Sequence, residues 1–166
     1  MDFIEYANSW AKSEVIQSRI MIGVGILFLV AFIAIIKSEN ILLRGSIIPL
    51  SILLVMLLGY GSYIMYSRPA HAEKSIALYK ISKKEAIEKE KIKHITDNSY
   101  GRPFIKYLYP IMILASVMVL LFFKNPHYQG MALGIIVLSV AMYIIDYGFV
   151  SRSDAFLEFL SKLPSN

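Results

Sequence analysis

Asp146 is the one ionisable side chain placed inside a long apolar stretch, Met131 to Val150, and it lies four residues from the end of that stretch. A carboxylate at such a depth is costly unless it faces other helices or reaches an interface, and residues of this kind either lock helices together or carry ions and protons. Read structurally, Asp146 pairs with Arg68, which follows a second apolar stretch at the same level, or accepts a tyrosine hydrogen bond, and so fastens helix two to helix four. Read functionally, it stands on an ion or proton path. Arg152 is six positions on and projects from another side of the same helix.

Little else in the chain points to chemistry. His71, His94 and His127 are scattered, no His-x-x-x-His spacing occurs, and there is no cysteine, so no metal site is expected. Gly-x-Ser-x-Gly, Walker and dinucleotide fingerprints are missing, and neither catalytic residues nor a cofactor is expected. Gly23-Val24-Gly25 and Gly59-Tyr60-Gly61 fall inside apolar stretches, where small residues serve close helix packing, and Gly23 and Gly59 are the candidates. Gly130 and Gly134 form a Gly-x-x-x-Gly that suits either a dimer face or packing within the chain, the latter being preferred.

The elements that must position these residues are four apolar runs, 20–36, 46–66, 107–123 and 131–150. A helix needs about 20 apolar residues, and no fewer than about 17, to cross a hydrocarbon core of ~30 Å, and all four meet that limit. None alternates in polarity as a barrel strand would. The chain is 57% apolar and 17% charged, which excludes a disordered chain and a basic nucleic-acid binder. The expected fold is all-α, a single polytopic membrane domain of four transmembrane helices in two hairpins. Asp2, Glu5 and Glu14 precede the first run, and no small-residue cleavage pattern follows it, so it is not expected to be a cleaved signal. Four spans with short outer turns are similar in layout to the small multidrug exporters. Those carry an embedded glutamate in the first span, whereas 20–36 has no polar side chain.

Of the 17 lysines and arginines, 14 fall in the termini and the 67–106 loop. The positive-inside rule places both termini and that loop in the cytoplasm, of a bacterial inner membrane in the favoured reading. The net charge of +5 is then a topology signal, with anionic headgroups as the natural partner of the basic loop. Tyr60, Tyr63, Tyr66, Tyr107, Tyr109, Tyr143 and Tyr147 collect at the same ends of the spans, as an interfacial belt would.

Residues 3–18 and 152–163 read as amphipathic helices lying on the membrane or against the bundle. The first carries a stripe of Ile4, Ala7, Ala11 and Val15 with Glu14 off it; the second carries Phe156, Phe159, Leu160 and Leu163, begins at a Ser151 to Asp154 cap and stops at Pro164. In the loop, Pro69 ends the second span or opens a new helix, a break is expected near Ser82, and Asp97 to Pro103 reads as a closing turn. The loop is too poor in apolar residues for a core of its own. Tyr-x-x-x-Ser-Arg recurs at Tyr63 to Arg68 and Tyr147 to Arg152, which suggests two hairpins related by a pseudo-twofold axis along the membrane normal.

These features favour a noncatalytic membrane protein, an accessory, assembly or regulatory subunit that shows its cytoplasmic helices to a partner. The alternative is a small homo-oligomeric channel or transporter using Asp146. A lipid-acting enzyme comes third, because only Asp146 and His71 could meet at one level.

Overall fold

The computed structural model describes residues 2–163. It is all-helical, with no strand among these residues. Four rods run nearly its full length. The first is α1, Phe3–Lys37; after α2, Ile41–Gly45, the second comprises α3, Ile47–Val55, a π segment at Met56–Tyr60, and α4, Gly61–Ile81. The third comprises α5, Lys83–Pro103, a second π segment at Phe104–Leu108, and α6, Tyr109–Phe122; the fourth is α7, Pro126–Lys162. Each rod is long and apolar enough to cross a membrane. Their apolar parts lie side by side and make one half of the molecule, and their polar parts make the other.

In the apolar half, α1 packs on the second rod, the second rod on α7, and α7 on α6. The core there holds Met21, Phe32, Leu50, Leu53, Leu57, Leu138, Met142 and Ile145. Outward-facing side chains are equally apolar, with Leu27 75% and Leu121 71% exposed. The short contacts are made by glycine. A Cβ on Gly130 would overlap the Leu42 carbonyl, and one on Gly134 would lie 2.5 Å from Pro49, so this pair packs α7 on α2 and α3 within the chain. Gly23 has nothing within 4 Å and Gly59 only a side chain of its own helix, so neither is a packing site. Their neighbours are: Gly25 abuts Leu57 and Leu58, and Gly61 abuts Met21 and Ile22.

In the polar half the outer segments do not lie flat as separate amphipathic helices. Residues 3–18 and 152–162 continue α1 and α7 without a break. With α4 and α5 they enclose a second core of Phe3, Ala7, Trp10, Ala11, Ala72, Ala86, Phe156 and Leu160. The loop segment thus lends alanines and aliphatic stems to a shared core, which it could not build alone. Ser82 does break the hairpin, its side chain accepting from the Glu85 amide at 3.4 Å. Other local stop signals are overridden. The helix runs through Pro69, and through Asp97 to Pro103, where Asn98 and Arg102 donate to Asp154 at 2.7 and 2.6 Å. Gly101 stands there because a Cβ would come within 2.8 Å of Val150. Pro103 and Pro110 flank the second π segment, whose wider turn makes room for a proline ring where the preceding carbonyls lose an amide donor. Ser151 to Asp154 lies inside α7 and caps nothing, and the expected stop at Pro164 is outside the described residues.

Candidate functional site

The two cores meet at a layer of buried charge. Glu14 is 1% exposed and faces α7 and α4 rather than solvent. Arg152 Nε donates to its Oε1 at 2.7 Å, while Arg68 Nε lies 3.4 Å from Oε2, an ion pair too poorly aligned to be a hydrogen bond. Arg152 also donates to Gln17 Oε1, and Gln17 Nε2 donates to the Ile145 carbonyl at 2.9 Å. The two arginines of the Tyr-x-x-x-Ser-Arg repeat therefore converge on one carboxylate. Burial pushes the Glu14 carboxyl above its ordinary range, against the pull of Arg152 and Arg68.

Deeper in the polar half, Glu90 sits between two histidines. His71 Nε2 lies 2.9 Å from Oε1, and His94 Nε2 lies 3.4 Å from Oε2. Burial alone would raise Glu90, but hydrogen bonds from His71 and His94 hold it well below the usual carboxylate range. His94 is lowered because burial disfavours the imidazolium more than Glu90 restores it. A neutral ring protonated at Nε2 lets the Ser153 hydroxyl donate to Nδ1 across 2.7 Å. His127 is in the first turn of α7, about 40 Å along that helix from Ser153, so the three histidines do not meet. Among the described residues no group of three His, Asp or Glu side chains is arranged to hold a metal ion.

Asp146 does not pair with Arg68. Its Oδ2 accepts from the Tyr109 hydroxyl at 2.5 Å, which ties α7 to α6, while Arg68 is committed to Glu14. A tyrosine bond is present, but it joins the third and fourth rods rather than the second and fourth. Both residues nevertheless line the same cavity, about 580 Å³, at the junction of the halves. Trp10 and Glu14, Tyr60 and Tyr63, Lys93 and His94, and Phe149 complete much of its wall. Arg68 and Lys93 each lie 5.4 Å from the centroid of the Trp10 ring.

Sequence reasoning placed Glu14 on the outer face of its helix, yet Glu14 follows Ala7 and Ala11 at helical spacing, and this signal was available to find it. Compared with known families, with curated proteins and with solved structures, the chain shows no match.

Proposed function

We propose that the chain is a multi-pass membrane protein of the bacterial inner membrane, with both termini and the α4–α5 hairpin in the cytoplasm. On this reading it is a noncatalytic accessory or regulatory subunit that holds a cytoplasmic surface at a fixed distance from the bilayer. The observation that supports this is continuity: every rod passes from the apolar core into the polar core. The hairpin tip at Ser82 stands about 22 Å beyond Ser67 along the helix axis, too far for its lysines to reach headgroups. Lys80, Lys83, Lys84 and Lys89 at the tip then face a protein partner, and Arg19, Arg102 and Lys106 meet the anionic lipid. Crosslinking of membranes with an amine-reactive reagent, followed by extraction and mass spectrometry, tests this. Crosslinks from the tip lysines to a different protein are expected; crosslinks solely between copies of this chain would replace the reading with the homo-oligomeric channel. The channel is the weaker reading, because among the described residues the buried polar side chains on the far side of Asp146 are the hydroxyls Ser46, Ser116 and Ser139.

A further inference from the structure

We propose that the junction cavity binds an ammonium group borne on an apolar tail, with Asp146 as its counter-ion, and that this ligand enters sideways between the second and third rods.

The first observation is a carboxylate without a cation. Two basic side chains line the cavity, Arg68 and Lys93, against three acidic ones, Glu14, Asp97 and Asp146. Arg68 faces Glu14 at 3.4 Å, Lys93 is bonded to Asp97 at 2.8 Å, and Arg152, behind the wall, is bonded to Glu14 at 2.7 Å. Among the described residues no basic side chain pairs with Asp146, whose one hydrogen-bond partner is the neutral Tyr109 hydroxyl on Oδ2. The balanced layer at Arg152 is six residues further along α7, about 9 Å toward the polar half, so Asp146 stands apart from it.

The aromatic walls divide in the same way. On the polar side the rings are taken by cations of the chain: Arg68 and Lys93 each lie 5.4 Å from the Trp10 centroid, and Arg152 lies 5.3 Å from that of Phe149. On the Asp146 side stand Tyr60 from the second rod and Phe104 and Tyr109 from the third, and among the described residues no cation lies over them. A carboxylate among open ring faces suits an ammonium. A bare metal ion would need several oxygen ligands, and Asp146 has no second acidic group or histidine grouped with it.

The third observation is the way in. The second and third rods touch through α4 and α5, but their apolar parts, α3 and α6, nowhere approach within 8 Å between Cα atoms. Tyr63 and Tyr100 are exposed at the mouth of this gap. With the apolar half in a bilayer, on which the inference rests, the gap opens at headgroup level, and Met56 and Met142 continue the wall toward the acyl region. The methionines fit the start of an apolar tail, and an ammonium without one would leave that part of the cavity empty.

Trp10 is the sole tryptophan and lines the cavity, so its fluorescence reports on the site. The intact protein in a neutral detergent is titrated with decylammonium, with decanol, with methylammonium and with decyl sulfate. A saturable change in Trp10 emission is expected with decylammonium, and at least tenfold weaker responses with the other three. Asp146→Asn should weaken decylammonium at least tenfold, Phe104→Leu at least threefold, and Lys89→Gln, at the exposed face of α5, should leave it unchanged. An additional titration with dioctanoyl phosphatidylethanolamine identifies the source: binding as tight as decylammonium assigns the site to an amine-bearing membrane lipid, and weaker binding assigns it to a free amphiphilic amine. An equal response to decanol would reduce the cavity to an apolar recess and overturn the proposal, as would an equal response to decyl sulfate or no saturable response. Should Asp146→Asn fail to fold, Phe104→Leu binding like the parent would overturn it as well. Membrane placement is tested separately by the reporter fusions described below, so failure of the one is distinguishable from failure of the other.

Discussion

Replacing Glu14 by alanine removes the only carboxylate between Arg68 and Arg152 and leaves both guanidiniums facing each other across the site. At 3.4 Å and an effective dielectric of about 20, the Glu14–Arg68 attraction alone is about 5 kcal/mol before desolvation is subtracted. Stripping one partner from a buried pair costs about 3–5 kcal/mol. The low end applies, since Arg152 keeps Gln17 and Arg68 keeps the Trp10 face. A loss near 3 kcal/mol corresponds to roughly 6–12 °C in a chain of this size. Thermal unfolding in detergent, followed by circular dichroism, measures it. Arg152→Gln should cost about 2 kcal/mol because it forfeits an aligned bond, and Arg68→Gln about 1, because its contact with Glu14 is misaligned. Glu14→Ala combined with Arg68→Gln should cost less than the sum of the two, since the second change removes a charge that the first has stranded. A Glu14→Ala protein melting within about 2 °C of the parent, or strict additivity in the double variant, would refute the clamp.

Three further outcomes are expected. Gly130→Ala should destabilise by at least about 1–3 kcal/mol, because its Cβ meets backbone, whereas Gly59→Ala should melt like the parent, and the same unfolding assay compares them. Glu90 is depressed in the folded state, so its contribution is present above its ordinary value of 4.5 and is lost as pH falls through and below it; His94, depressed from 6.5, likewise withdraws stability on acidification below that pH. Melting temperature should therefore drop from pH 6.5 downward, and Glu90→Gln should flatten the acid limb of that profile. A reporter active only in the cytoplasm should work near Lys84 and after Asn166 and fail near Asn40; activity at Asn40 would invert the topology.

The four rods were legible in the sequence because apolar runs of membrane length have few alternative readings. Their ends were not. Asp97 to Pro103 holds turn-forming residues in series, and contacts with Asp154 and Val150, about 50 residues away, hold it in the helix. The choice between Gly23 and Gly25, or Gly59 and Gly61, depends on how each helix is rotated about its axis, which an all-apolar run does not encode. Asp146 stood out because it is alone among apolar neighbours, but its partner depended on which rods are adjacent. Glu14 was missed for a related reason: a charge near a chain end reads as solvated until the arginines at 68 and 152 are known to lie over it.

The two π segments, Met56–Tyr60 and Phe104–Leu108, lie at the two ends of the α4–α5 hairpin, whereas α1 and α7 cross the same level as uninterrupted α-helix. Mechanically this makes two stiff posts and one panel hung on a pair of softer joints, because the wide turn has poorer hydrogen-bond geometry than the turns on either side. Compliance is concentrated at those joints. A tilt of the apolar half is carried to the far end along α1 and α7, and the mismatch is taken up in the hairpin, where loss of a π turn would change the register of the helix beyond it by one residue, about 100°.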